Sequence, residues 1–222
     1  MTRIRTLPAH RVVRSAYPRE PTEREELGMV VGKAIDTAVS RLSHEAGLGR
    51  RPTTAAMLRL GAEVLEEEIR DADLEVPEAE RERSLAAIRA VLKAFRKSVL
   101  FGLDRPRSRM ILINGSVGIY AQPDFWDRRA RFYEFKSYRA IPVPPDVDLQ
   151  LQLFQLAFPR LVGVLACFPR HVDPVEVTLL ERPPISPETA RDVLERCLAI
   201  GLAEGEEKVL EYVDNPMERY EV

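Results

Sequence analysis

The chain reads as a mixed α/β protein, a helical N-terminal lobe followed by a sheet-bearing core, and three observations predict it. Apolar residues recur at helical spacing through roughly the first hundred positions. From Arg109 onward the pattern changes to short β-branched and aromatic runs punctuated by glycine and proline. The resulting order of helices, strands, helix, two strands and helix is that of an α/β sandwich with a mixed central sheet. At 222 residues the chain suffices for one domain. Residues 1–222 are read as that domain, with a basic arm over 1–19, a helical lobe over 20–104 and the α/β core over 105–222.

The arm carries Arg3, Arg5, Arg11, Arg14 and Arg19 and no acid. It reads either as a phosphate-contacting segment or as a solvated tail. Leu27, Val30, Val31, Ala34, Ile35, Ala38, Val39 and Leu42 then mark a first helix, ended by Gly47 and Gly49. Thr53 or Thr54 opens a second, through Met57, Val64 and Ile69. A third runs from about Pro77 to Phe101, with Leu85, Ile88, Val91, Leu92, Phe95 and Val99 on one face. RMILINGSVGIYAQPDFW predicts two short strands joined near Asn114-Gly115, or one bent strand. Asp127 to Ala130 reads as a turn and RFYEFKSY as a second firm strand. Prolines 142, 144 and 145 make a loop before a helix starting near Asp146. LVGVLACF and PVEVTLLE are the last strands. Ser186-Pro187 begins a final helix, serine as cap and proline in the first turn, reaching about Tyr212.

Composition narrows the classes. Hydrophobic residues at 45% and charged residues at 31% belong to a globular chain and not to a disordered one. No run approaches the ~18 apolar residues of a membrane helix, and the basic N-terminus lacks a signal's apolar centre. The expected location is the cytoplasm. A net charge of −2 argues against a generic polycation coating DNA. Cys167 and Cys197 both lie in apolar stretches, as a disulfide or, in the favoured reading, as two buried thiols. Nothing has the spacing of a zinc or iron–sulfur site. Scarce amides beside abundant charge fit a thermophilic source. Three of the four glutamines nonetheless sit in one short segment, LQLQLFQ.

The chemistry concentrates around one strand. Glu134 and Lys136, two apart, leave the same face, while Tyr133 and Phe135 point to the other. Asp124, ten residues before Glu134, is placed so that a hairpin could bring the two carboxylates together. Such a hard, oxygen-lined pair suits Mg²⁺ or Mn²⁺. A neighbouring lysine can orient a water and stabilise charge on a phosphate.

PDFWDRRARFYEFK resembles the PD-(D/E)XK nuclease signature, with Pro123-Asp124 as its first half and Glu134-Phe135-Lys136 as its second. DLQLQLFQLAF resembles the Q-x-x-x-Y motif of the RecB-like branch, with Gln150 as the glutamine and Phe154 in the tyrosine's place. Gly32 to Asp36 is similar to that branch's G-x-x-x-H motif, aspartate replacing histidine, and the iron–sulfur cysteines of the CRISPR-associated members are absent. The resemblance, spanning about residues 28 to 158, implies a restriction-endonuclease-like fold and a metal-dependent deoxyribonuclease of repair, recombination or defence. It implies Asp124, Glu134 and Asp36 as ligands of Mg²⁺ or Mn²⁺, Lys136 assisting the attacking water, and Gln150 positioning substrate or lysine. DNA is then the expected partner, with a further protein in a repair or defence complex.

Blander readings stand beside these. Asp124 could cap a turn, Glu134 and Lys136 could be a surface pair, and Asp36 could border an apolar helix face. Gln150 and Gln152 point ~200° apart on a helix, so they cannot share a role. Gln150 is favoured because it shares a face with Phe154. Trp126 reads as a base-stacking or a packing residue, and Tyr138 and Arg139 as backbone contacts. The main alternative is a non-catalytic nucleic-acid-binding or assembly subunit retaining the fold.

Overall fold

The structure is a computed structural model that describes residues 5–18, 22–113, 117–127, 130–138, 140, 142–172, 174–203 and 218–220. Three long helices form the lobe: α2 (Glu23–Gly47), α3 (Thr54–Asp71) and α4 (Glu78–Lys97). Local chemistry sets their ends. Thr22 and Glu25 form a reciprocal capping box at the start of α2. Thr53 accepts from Ala56 N at 3.2 Å to cap α3. Acids Glu78 and Glu80 open α4, and Arg96 and Lys97 close it, each complementing the helix dipole. The third helix therefore stops short of Phe101. Ser98 leaves helical geometry, its hydroxyl bonding Phe95 O at 2.7 Å. Gly61 lets α3 and α4 approach closely, since a Cβ there would stand 2.9 Å from both Ile88 and Leu92 side chains.

The N-terminal segment differs from the expected arm. Arg5–Pro8 is a strand, β1, and Ala9–Ala16 a helix, α1. Leu7, Ala9 and Val12 are buried, so apolar side chains between the arginines dock this segment onto the core. Arg3 and Arg19 lie outside the described residues.

Of the two readings for RMILINGSVGIYA, the structure takes the pair of strands. These are β2 (Arg109–Ile113) and β3 (Val117–Ala121), antiparallel with Ile111 opposite Ile119. Asn114 and Gly115 fall outside the described residues. Four more strands follow: β4 (Phe125–Trp126), β5 (Arg131–Lys136), β6 (Val162–Cys167) and β7 (Thr178–Arg182), then β8 (Glu218–Tyr220). The Asp127 turn is present, its Oδ1 accepting from Ala130 and Arg131 N at 2.8 and 2.9 Å. Helices α5 (Pro145–Ala157) and α6 (Pro187–Ala203) complete the order, Ser186 capping α6 through Thr189 N. The stretch expected to carry α6 on to Tyr212 lies outside the described residues.

The chain is thus mixed α/β, but the single central sheet is replaced by two mixed four-stranded sheets, ordered β1-β3-β2-β8 and β4-β5-β6-β7. The break falls at Gln122-Pro123-Asp124, between β3 and β4. Proline cannot donate to a ladder, and the Gln122 amide turns away to Pro106 O at 2.8 Å. The β4–β7 sheet separates two cores. Tyr133, Phe135, Val164, Ala166 and Phe168 pack against α2, α3 and α4. Phe132, Leu165 and Cys167 face α5, α1 and α6 on the other side. Both cysteines are buried free thiols. Among the described residues no helix is long and apolar enough to cross a membrane.

Candidate active site

The alternation along β5 builds the site. With Tyr133 and Phe135 sunk in the lobe's core, Glu134 and Lys136 must emerge beside Phe132, toward α5. There Lys136 Nζ lies 2.6 Å from Glu134 Oε1 and 3.1 Å from Gln150 Oε1. Asp124 directly precedes β4. The antiparallel register of Phe125 with Tyr133 and Trp126 with Phe132, continued by one residue, sets Asp124 opposite Glu134. Its Oδ2 accepts from Phe135 N at 2.8 Å, which fixes the carboxylate against the strand. Asp36 enters from α2 and is electrostatically coupled to Asp124 and Lys136. Asp124, Glu134, Lys136 and Gln150 therefore come together, while Asp36 is linked to them only through the influence of its charge.

Two further residues were not legible in the sequence. Arg105 spans from Ser40 Oγ at 3.3 Å to Asp124 Oδ1 at 3.4 Å. Arg170, in the turn after β6, is electrostatically coupled to Asp36. In a chain rich in arginine, neither stands out by pattern.

The electrostatics have one direction. Glu134, only 3% exposed, is pushed up to about 8, first by burial and then by Asp124, with Lys136 opposing. Asp36 is pushed up to about 7 by crowding protein atoms and by Asp124, against Lys136, Arg105 and Arg170. It still meets solvent at the mouth of the cleft, so water screens part of that effect. Burial works against the Lys136 ammonium, but Glu134 and Asp124 outweigh it and hold its pKa above the ordinary value. Desolvation first and the Asp124 charge second disfavour ionised Glu134 and Asp36, while the same carboxylates keep Lys136 charged. The cluster favours added positive charge, from protons or from a cation.

The residues present fit a divalent cation in a particular way. Among the described residues no three His, Cys, Asp or Glu side chains form a ready-made ligand group. Mg²⁺, however, is usually held by one or two carboxylates together with waters and substrate phosphates. The pair Asp124 and Glu134, set opposite each other by the strand register, meets that requirement. Asp36 does not complete a three-carboxylate group with them, so the ligand role expected of it is not met in this geometry.

The remaining candidates separate cleanly. Gln152 bonds Asp148 at 2.9 Å and Gln155 bonds Pro183 O at 3.0 Å, leaving Gln150 as the glutamine of the cluster. Phe154 is buried and packs edge-on against Phe132 at 6.1 Å, so the ring serves the core. Trp126 packs edge-on against Phe158 at 6.4 Å, while Arg139 is outside the described residues. A cleft of about 860 Å³ is bordered by Asp36, Ser40, Arg105, Asp124 and Trp126, and Glu134, Lys136 and Gln150 are not among its walls.

No family model matches the chain, and no curated protein does. A crystal structure of SSO0001 is similar to it, at 14% identity and a TM-score of 0.36, covering 86% of this chain and 84% of the other. A likeness that slight carries no argument about fold or function.

Proposed function

We propose that the chain is a metal-dependent nuclease of the restriction-endonuclease-like type, hydrolysing DNA phosphodiester bonds in repair, recombination or defence. The observation that carries the reading is the contact of one ammonium, Lys136 Nζ, with both Glu134 and Gln150, while Asp124 faces Glu134 from the next strand. A surface pair of opposite charges would not be buried at Glu134, nor be met by a helix glutamine and faced by Asp124.

Asp124 and Glu134 would hold Mg²⁺ or Mn²⁺, whose charge polarises a phosphoryl oxygen and acidifies water. Phe135 N and Arg105 keep Asp124 oriented. Lys136 stays an ammonium at neutral pH, so it orients water by donating hydrogen bonds and stabilises charge on the phosphate, without acting as a base. Gln150 Oε1 holds that ammonium in place.

Purified protein incubated with Mg²⁺ or Mn²⁺ and labelled single- and double-stranded DNA tests the proposal. Cleavage abolished by Asp124→Ala and by Lys136→Ala supports it; no cleavage, or cleavage indifferent to both variants, removes it. The absence of a ready-made three-ligand group among the described residues favours one alternative, a DNA-binding subunit without catalysis. That alternative predicts DNA affinity unchanged by EDTA and by Glu134→Gln.

A further inference from the structure

Gly28, Gly32, Asp36 and Ser40 recur every four residues on α2 and so lie along one side of it. Arg170 is laid across the first two. A Cβ on Gly28 would stand 3.3 Å from its Nη2, and one on Gly32 3.3 Å from its Nη1. Any larger residue at either place would press on the guanidinium, which rests on bare helix backbone over one full turn. The loop holding Arg170 is tied down by its own N–H, which donates to Ser137 O at 3.3 Å.

This arginine is half-buried, and burial lowers its pKa while Asp36 and the Tyr138 phenol pull it back. Among the described residues no carboxylate is in ion-pair contact with it; Asp36 acts on it across a gap. A planar, permanently charged fork, held rigid beside an acid cluster, matches the oxygens of a phosphodiester. At the other end of the stripe Arg105 reaches Ser40. From midway between the two glycines to Ser40 is ten residues, or ~15 Å of helix. Phosphates recur every ~3.4 Å along one strand of a B-form axis, so the two arginines would meet different phosphates, with the carboxylates between them.

We propose that Arg170, seated on Gly28 and Gly32, binds a backbone phosphate of the nucleic-acid strand on the side of the carboxylate cluster away from Arg105, and so sets which bond the cluster meets. The assignment rests on the nuclease reading, and its test separates the two. Binding of a labelled single strand is measured in EDTA across a salt series. Arg170→Ala is expected to weaken affinity roughly ten- to a hundredfold. It should also lower the slope of log K against log salt by ~0.7, one single-strand phosphate contact. Arg170→Lys should recover part of the affinity, and Arg83→Ala, exposed on α4, none of the loss. Neutral methylphosphonates placed singly along the strand should weaken the natural protein at one position where Arg170→Ala is insensitive. Gly32→Ala, which displaces the guanidinium without removing it, should shift binding in the same direction and covers the case in which Arg170→Ala does not fold. An unchanged salt slope in Arg170→Ala, with no methylphosphonate position lost, overturns the assignment even if the protein cleaves DNA. A lowered slope in a protein that cleaves nothing upholds the phosphate contact and overturns the nuclease reading alone.

Discussion

Replacing Glu134 by glutamine makes the protein's electrostatic strain measurable. Glu134 moves from an ordinary value of 4.5 to about 8 on folding. Each pKa unit corresponds to ~1.36 kcal/mol, so the ceiling on the cost of the folded carboxylate is ~5 kcal/mol. Glu134, Asp124 and Lys136 titrate as an interacting group, so replacing Glu134 recovers only part of this ceiling. Because the folded pKa is raised, the stability associated with the protonated form is complete below pH ~4.5. It is lost progressively as the pH rises through about 8. Glutamine mimics the protonated acid at every pH. In EDTA, Glu134→Gln should therefore match the natural protein near pH 4.5 and gain steadily on it to pH 8. The advantage should be largest at pH 8, at ~2–4 °C in Tm for each kcal/mol recovered in a domain of this size. Lys136 keeps its contact with Gln150 and stays near Asp124, so the ammonium is not orphaned by the change. Thermal unfolding followed by circular dichroism across this pH range is the assay. A variant less stable than the natural protein at pH 8 would refute the reasoning, because the Lys136–Glu134 contact would then outweigh burial and Asp124.

Other consequences follow from the same geometry. Mg²⁺ affinity by calorimetry should climb as the pH rises toward 8 and then level, since Glu134 at about 8 must lose its proton to receive it. A pH-independent affinity would place the cation elsewhere. Gln150→Ala should lower kcat about tenfold with KM little changed, because the residue orients Lys136 and not the substrate; a pure KM effect would contradict this. Lys136→Met should cost a factor of ~10²–10⁴ in rate while leaving metal affinity intact or improved, checked by cleavage and titration together. Gly61→Val should lose about 1–3 kcal/mol in urea unfolding, since its Cβ would already crowd Ile88 and Leu92 at 2.9 Å.

Much of this site was legible in the residues alone. Period-two alternation in FYEFK put Glu134 and Lys136 on one face, whatever the rest of the chain did. The spacing of Gln150 from Gln152 separated their roles, and the structure sends the latter to Asp148. Capping residues at Thr53 and Ser186 announced helix starts because that chemistry is local. Long-range matters were closed to inspection. Whether residues 5–16 hang free or dock depends on a partner surface on β3 and α5, which the arm's charges concealed. Pro123 was visible, but the division of one sheet into two depends on which distant strands β3 and β4 find as partners.

By itself the sequence determined the α/β class, the strand that bears the acid and the lysine, and the helix that brings the glutamine. These are consequences of periodicity, capping and residue type, all expressed within a few positions. The tertiary structure alone decided that Asp36, ~90 residues before Asp124, shares its electrostatic environment, and that Arg105 and Arg170 flank the acids. It decided their charge state as well, since a carboxyl group's pKa is set by the burial and neighbouring charges that folding supplies.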